Sequence, residues 1–162
     1  FNLIMEAGKE FGIKPFGIRA MDSLRLEKSY RLIPRELSIE YSAFDSGLHR
    51  FVKLEKNDFI GCKALKTNKK DPDWGFVTLE VHGIKDADAR GSEPIRKNGE
   101  LVGRATSGGF GWRVNKSLAL AMIKPALIKP KAVFEIIILG KPYKAAIIPD
   151  SPFDPDNKCL RS

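Results

Sequence analysis

Long apolar runs are missing from this chain. Charged residues recur every few positions, so no segment suits a bilayer-spanning helix and no membrane partner is expected. Cysteine and histidine are nearly absent as well. Cys62 and Cys159 lie far apart, as do His49 and His82, and none has metal-ligand spacing. This excludes a recognisable metal centre and a disulfide framework, and it fits a reducing compartment. Cys62 is expected to pack at a helix start and Cys159 to be an exposed thiol. The chain starts at Phe1 and not at a methionine, and its opening segment has neither a basic leader nor an apolar targeting core, so the start reads as a break inside a longer polypeptide.

What is present is an excess of positive charge, with 28 Lys and Arg against 20 Asp and Glu, a formal +8. Its distribution argues against a nucleic-acid partner. The lysines, Lys53, Lys56, Lys63, Lys66, Lys69 and Lys70 and later Lys116, Lys124, Lys129 and Lys131, are scattered without interleaved stacking aromatics. Such a field suits a solvated surface, or a ligand carrying several carboxylates.

At 162 residues with 43% hydrophobic content, the chain holds one ordinary domain or a small domain plus part of another. Residues 2–12 place Leu3, Ile4, Ala7 and Phe11 on one helical stripe, with Gly12 as the stop. Leu24 and Leu26 alternate with Arg25 and Glu27, which predicts a half-buried strand over 23–27, although RAMDSLR also fits a helical turn capped by Asp22 or Ser23. Residues 31–50 read as connecting structure, 51–55 as a strand, and 59–66 as a short helix with Asp58 as N-cap. The polar stretch 67–73 reads as a linker.

Beyond it the texture changes to short alternating or apolar runs separated by turn residues. Asn98-Gly99, between PIRK and ELVGRATS, is a strong hairpin signal. The pattern predicts a small antiparallel barrel or sandwich over 74–148, followed by an extended tail over 149–162. The architecture expected is α+β: the remnant of a helix-and-sheet domain over 1–66, then the barrel.

On a strand, Arg25 and Glu27 share one face. They form either an exposed charge pair or a site in which a rigid carboxylate accepts two hydrogen bonds from a planar heterocycle bearing a 2-amino group and a ring N–H. TSGGFG at 106–111 has three glycines in six residues, which permits close backbone approach and positive φ in a loop. It lacks the lysine of a phosphate loop. Trp112 reads as a barrel-rim packing residue.

Three segments, GIRAMDSLRLEKSYRLIPREL, SGLHRFVKLEKNDFIGCKAL and PIRKNGELVGRATSGGFGWRVNKSLALAMI, together resemble the glycine-cleavage T-protein family in order and spacing. That family includes aminomethyltransferases and the C-terminal parts of sarcosine and dimethylglycine dehydrogenases, and the ending SPFDPDNKCLRS is similar to the dehydrogenase branch. The resemblance implies tetrahydrofolate as cofactor, with Glu27 on the pteridine ring and Lys56 as the basic residue near it. Tyr30, close behind Glu27, would stack or donate a hydrogen bond, or would simply be a core or surface tyrosine. It implies FAD in an N-terminal remainder of the same polypeptide, and a catalytic aspartate there too, so no catalytic residue is expected in this chain and the fragment alone should be inactive. The function implied is capture by folate of a one-carbon unit from an N-methyl amine. The alternatives are the C-terminal part of a stand-alone aminomethyltransferase, or an interaction module of the same fold without folate. The location implied is cytoplasmic, or the mitochondrial matrix in a eukaryote.

Overall fold

The computed structural model describes residues 1–56 and 59–161, with the backbone alone over 68–70. The sequence-predicted cap Asp58 lies outside the described residues. Among the described residues, four helices, α1 (Asn2–Ala7), α2 (Ile18–Glu27), α3 (Cys62–Lys70) and α4 (Lys158–Arg161), accompany six strands, β1 (Gly75–Val81), β2 (Pro94–Lys97), β3 (Glu100–Gly111), β4 (Lys116–Ile123), β5 (Val133–Ile138) and β6 (Lys141–Ile148). The architecture is the α+β arrangement expected, helices followed by an antiparallel barrel. No described helix is long and apolar enough to cross a membrane.

All the strand pairings are antiparallel, and the barrel closes in the order β1-β4-β3-β2-β5-β6 with β6 returning to β1. Closure leaves no free sheet edge. The interior is filled by matching large residues to small ones: Val77 and Leu79 of β1 stand opposite Ala121 and Ala119 of β4. The Asn98-Gly99 hairpin joins β2 to β3, with φ of 51° and 82°. Two consecutive positive φ values are what a tight turn needs to match the twist of its strands.

β4 is buried on both faces. Ala119, Ala121 and Ile123 point inward, while Leu118 and Leu120 pack outside against Leu26 of α2. That outer contact is where the helical half meets the barrel.

Several local expectations are corrected. Residues 23–27 are the end of a helix, not a strand. Residues 51–55 hold the end of a short 3-10 turn (His49–Phe51) and then non-strand backbone. α3 starts at Cys62 behind Gly61, whose φ of 88° breaks the preceding chain, and it runs into the stretch read as a linker. Helix α1 stops at Ala7 and a 3-10 turn (Lys9–Phe11) continues to Gly12, which has φ 67°. The stripe Leu3, Ile4 and Phe11 is exposed. The tail is not extended; it bends back over the end of α2 and finishes in α4.

Candidate functional site

The C-terminal half of α2 lies against β3, and the sequence of β3 explains how. A bulge at Thr106 shifts the β3–β4 register, so that Gly103 and Ala105 pair with the inward Ile123 and Ala121 whereas Ser107 pairs with the outward Leu120. The extra residue switches the alternation. Ser107, Gly109 and Gly111 therefore face α2 and not the barrel interior. The glycines are needed there for space: a Cβ on Gly109 would meet Leu26 Cδ1 at 3.1 Å, and one on Gly111 would meet Glu27 Cγ at 3.0 Å. Thus TSGGFG is bulged strand, not a loop, and its glycines serve close approach without positive φ.

On this bed the buried residues of α2 are Ser23, Arg25, Leu26 and Glu27, while Ile18, Met21 and Leu24 are exposed. A helix turns about 100° per residue, so Arg25 and Glu27 diverge instead of sharing a face. Arg25 enters a polar network. Its Nη2 donates to Ser107 Oγ at 2.9 Å, its Nη1 to the Tyr30 carbonyl at 3.0 Å, and its Nε to Asp22 at 2.7 Å. Ser107 in turn donates to Glu36 Oε1 at 2.6 Å, and Leu32 N–H donates to Glu36 Oε2 at 2.9 Å. Each polar group in the network finds a partner, as burial requires.

Glu27 differs. Its side chain is 1% exposed, and Oε1 accepts the main-chain N–H of Arg113 at 2.6 Å and that of Val114 at 3.4 Å, both from the β3–β4 turn. Oε2 is buried with no hydrogen-bond partner among the described residues. An ionised carboxylate accepts only, and leaving one of its oxygens dry and unpaired costs free energy. Within the described residues this is the one orphaned buried side-chain polar atom. A cleft of about 380 Å³ runs along the flank of α2, with Ser23, Leu26, Phe110 and Trp112 in its walls; Glu27 does not line it. Trp112 is 78% exposed and meets Phe110 edge-on at 4.9 Å, so the expected rim packing is replaced by an open aromatic face.

The end of α2 is also gripped by the tail. Phe153 N–H donates to the Glu27 carbonyl at 3.0 Å, and Ser151 Oγ to the Lys28 carbonyl at 3.0 Å. Lys28 Nζ donates to the Asp154 carbonyl at 2.6 Å and to Asn157 Oδ1 at 2.7 Å. Arg31 pairs with Asp150 at 3.4 Å and stacks on Phe76; burial lowers its pKa from the usual arginine value, with Asp150 opposing the shift. Burial raises the Tyr41 pKa, helped by Glu36 and Asp45.

Of the sequence-predicted site residues, Glu27 sits at the centre of this arrangement. Tyr30 follows three residues later, its ring half-exposed and its carbonyl committed to Arg25. Lys56 is exposed in the turn after Lys53, and no hydrogen bond or ion pair among the described residues joins its side chain to Glu27. Sequence reasoning missed Ser107, Glu36 and the turn at Arg113. Periodicity carried no signal for them, since each acts through a contact distant in sequence.

Comparison with known proteins places this geometry. The family described as "Glycine cleavage T-protein C-terminal barrel domain" matches residues 75–154, and "GCVT N-terminal domain" matches residues 1–56. Human mitochondrial dimethylglycine dehydrogenase is 41% identical over 150 residues, which is 91% of this chain and 17% of the relative. An aminomethyltransferase from Desulfitobacterium hafniense is 40% identical over 147 residues, 90% of this chain and 40% of the relative. The chain therefore spans well under half the length of these relatives. The fold matches the crystal structure of the glycine cleavage system aminomethyltransferase T from Bartonella henselae with a TM-score of 0.85, at 24% identity, over 94% of this chain and 43% of that one. Barrel, preceding helices and sequence agree, and the chain belongs to the glycine-cleavage T-protein (aminomethyltransferase) family.

Proposed function

We propose that this chain supplies the pterin-recognising wall of a tetrahydrofolate site, in a parent protein that passes a one-carbon unit from an N-methyl amine to folate. The observation that carries the reading is the unpaired Oε2 of Glu27. A reduced pterin presents a 2-amino group and a ring N–H in one plane, and a carboxylate with a free oxygen is the complementary acceptor. Oε1 is already fixed by two main-chain N–H groups, so the side chain is oriented before a ligand arrives. The residues present fit the group.

Glu27 would bind and orient the ring. Tyr30, half-exposed just beyond, would pack or donate at its margin, and Lys56 would attract the carboxylates of the glutamyl tail. Bound folate supplies the acceptor for the one-carbon unit. The chemical step belongs to the remainder of the polypeptide, which on the dehydrogenase reading holds FAD. The similarity to dimethylglycine dehydrogenase and the ending SPFDPDNKCLRS favour that reading. On that reading the protein would work in the cytoplasm, or in the mitochondrial matrix of a eukaryote; the human relative is named as mitochondrial. The aminomethyltransferase alternative is supported by a nearly equal identity.

Two measurements on the full-length protein test this. Glu27→Ala should weaken tetrahydrofolate binding in calorimetry by about 10- to 100-fold in a protein that still unfolds cooperatively, at a somewhat lower midpoint because the Arg113 and Val114 N–H groups lose their acceptor. Equal affinity for the two proteins overturns the assignment. The visible spectrum of the purified protein then separates the branches, since flavin bands support the dehydrogenase and their absence the transferase.

A further inference from the structure

The last helical residues of any α-helix leave carbonyls without intrahelical donors, and at α2 that position is occupied by Glu27 itself. Its carbonyl takes the Phe153 N–H at 3.0 Å, the next carbonyl takes Ser151 Oγ at 3.0 Å, and Ser29 Oγ accepts the Ser151 N–H at 3.0 Å. Three successive residues are therefore held by one short stretch of tail. The Lys28 side chain, largely covered, reaches the same stretch through two bonds shorter than 2.8 Å. Asp154, whose carbonyl takes one of those bonds, also caps α4 by accepting the N–H groups of Lys158 and Cys159.

The grip extends to the Glu27 side chain. The Phe153 ring lies 4.8 Å from the guanidinium carbon of Arg113, and the Arg113 N–H is the 2.6 Å donor to Glu27 Oε1. The tail thus touches both the main chain of Glu27 and the turn that orients its carboxylate. A tail that merely covered the barrel would have no reason to converge on residues 27–29.

We propose that residues 150–157 form a positioning strap for Glu27, with Lys28, Ser151 and Phe153 as positioning residues, so that the ligand site is incomplete without the C-terminal segment. This inference rests on Glu27 being the ligand carboxylate. Ligand affinity is then set from the far end of the chain, more than a hundred residues from Glu27 in sequence.

The test uses the full-length protein and tetrahydrofolate in calorimetry, with Lys28→Met, Asn157→Ala, Glu27→Ala and the double variant Glu27→Ala with Lys28→Met. Lys28→Met keeps the aliphatic stem and removes only the clamp, and Asn157→Ala loosens the same clamp from the other side if the first variant folds poorly. Each is expected to weaken binding about tenfold. The double variant is expected to bind no more weakly than Glu27→Ala alone, because the strap acts through Glu27. Losses that add in full, or a Lys28→Met protein that binds like wild type while Glu27→Ala does not, overturn the strap and leave the folate reading standing. Wild-type affinity in Glu27→Ala overturns both.

Discussion

The main-chain N–H of Arg113 donates to Oε1 of Glu27 at 2.6 Å, which ties the last residue of a helix to the turn between two barrel strands. This contact exists because β3 presents Gly111 beneath the Glu27 side chain. Helix, strand and turn are fitted to one another around a single carboxylate, and they should respond together to substitution.

Gly111→Ala should show this most simply. The added Cβ would lie 2.9 Å from Val114 Cγ2 and 3.0 Å from both Glu27 Cγ and Leu118 Cδ1. Overpacking of this kind costs about 1–3 kcal/mol. Urea unfolding should give a lower midpoint at unchanged slope, and folate affinity should fall with it.

Leu26→Ala tests the anchor. Leu26 is 1% exposed and packs on Leu118 and Leu120. Its truncation should cost about 2–5 kcal/mol in chemical denaturation. A loss below 1 kcal/mol, of the size usual for exposed positions, would show that the helix is not held at this contact.

The polar network predicts an asymmetry. Glu36→Ala removes a fully buried carboxylate from beside the Arg25 guanidinium, 3.7 Å away, and should cost about 3–5 kcal/mol. Ser107→Ala removes one bridging hydroxyl and should cost about 1–3 kcal/mol. The reverse order, measured by thermal unfolding, would mean that the Ser107 hydroxyl, and not the Glu36 carboxylate, is what chiefly holds the arginine.

Lys56 is exposed, so Lys56→Gln should leave stability within about 0.5 kcal/mol. Its effect on binding of a polyglutamylated folate should be a few-fold at low salt and should vanish as ionic strength rises, since exposed charges are screened. A salt-independent effect would contradict the long-range role.

The barrel was legible because its strands alternate and its hairpin carries Asn-Gly, both local signals. α2 was not. The alternation in LRLE imitated a strand, and the helix buries Ser23, Arg25 and Glu27 while exposing Ile18, Met21 and Leu24. Those three residues do recur at helical spacing, and that was the available clue. Burial of the polar side depends on Ser107, Glu36 and the turn at Arg113, which no window around residue 25 contains. The bulge at Thr106 was likewise invisible, since register is a property of a strand pair. Glu27 itself was reached through the family motif, and the structure adds where each of its oxygens points its demand: Oε1 to the turn, Oε2 to no partner within the described residues.

On the proposed reading, Glu27 Oε2 accepts a hydrogen bond from the pterin. The most direct measurement compares tetrahydrofolate with its 2-desamino analogue on the full-length wild-type protein and on Glu27→Ala. Removing the amino group should weaken binding to the wild type about tenfold or more and leave binding to Glu27→Ala almost unaltered. The same loss in both proteins would contradict it.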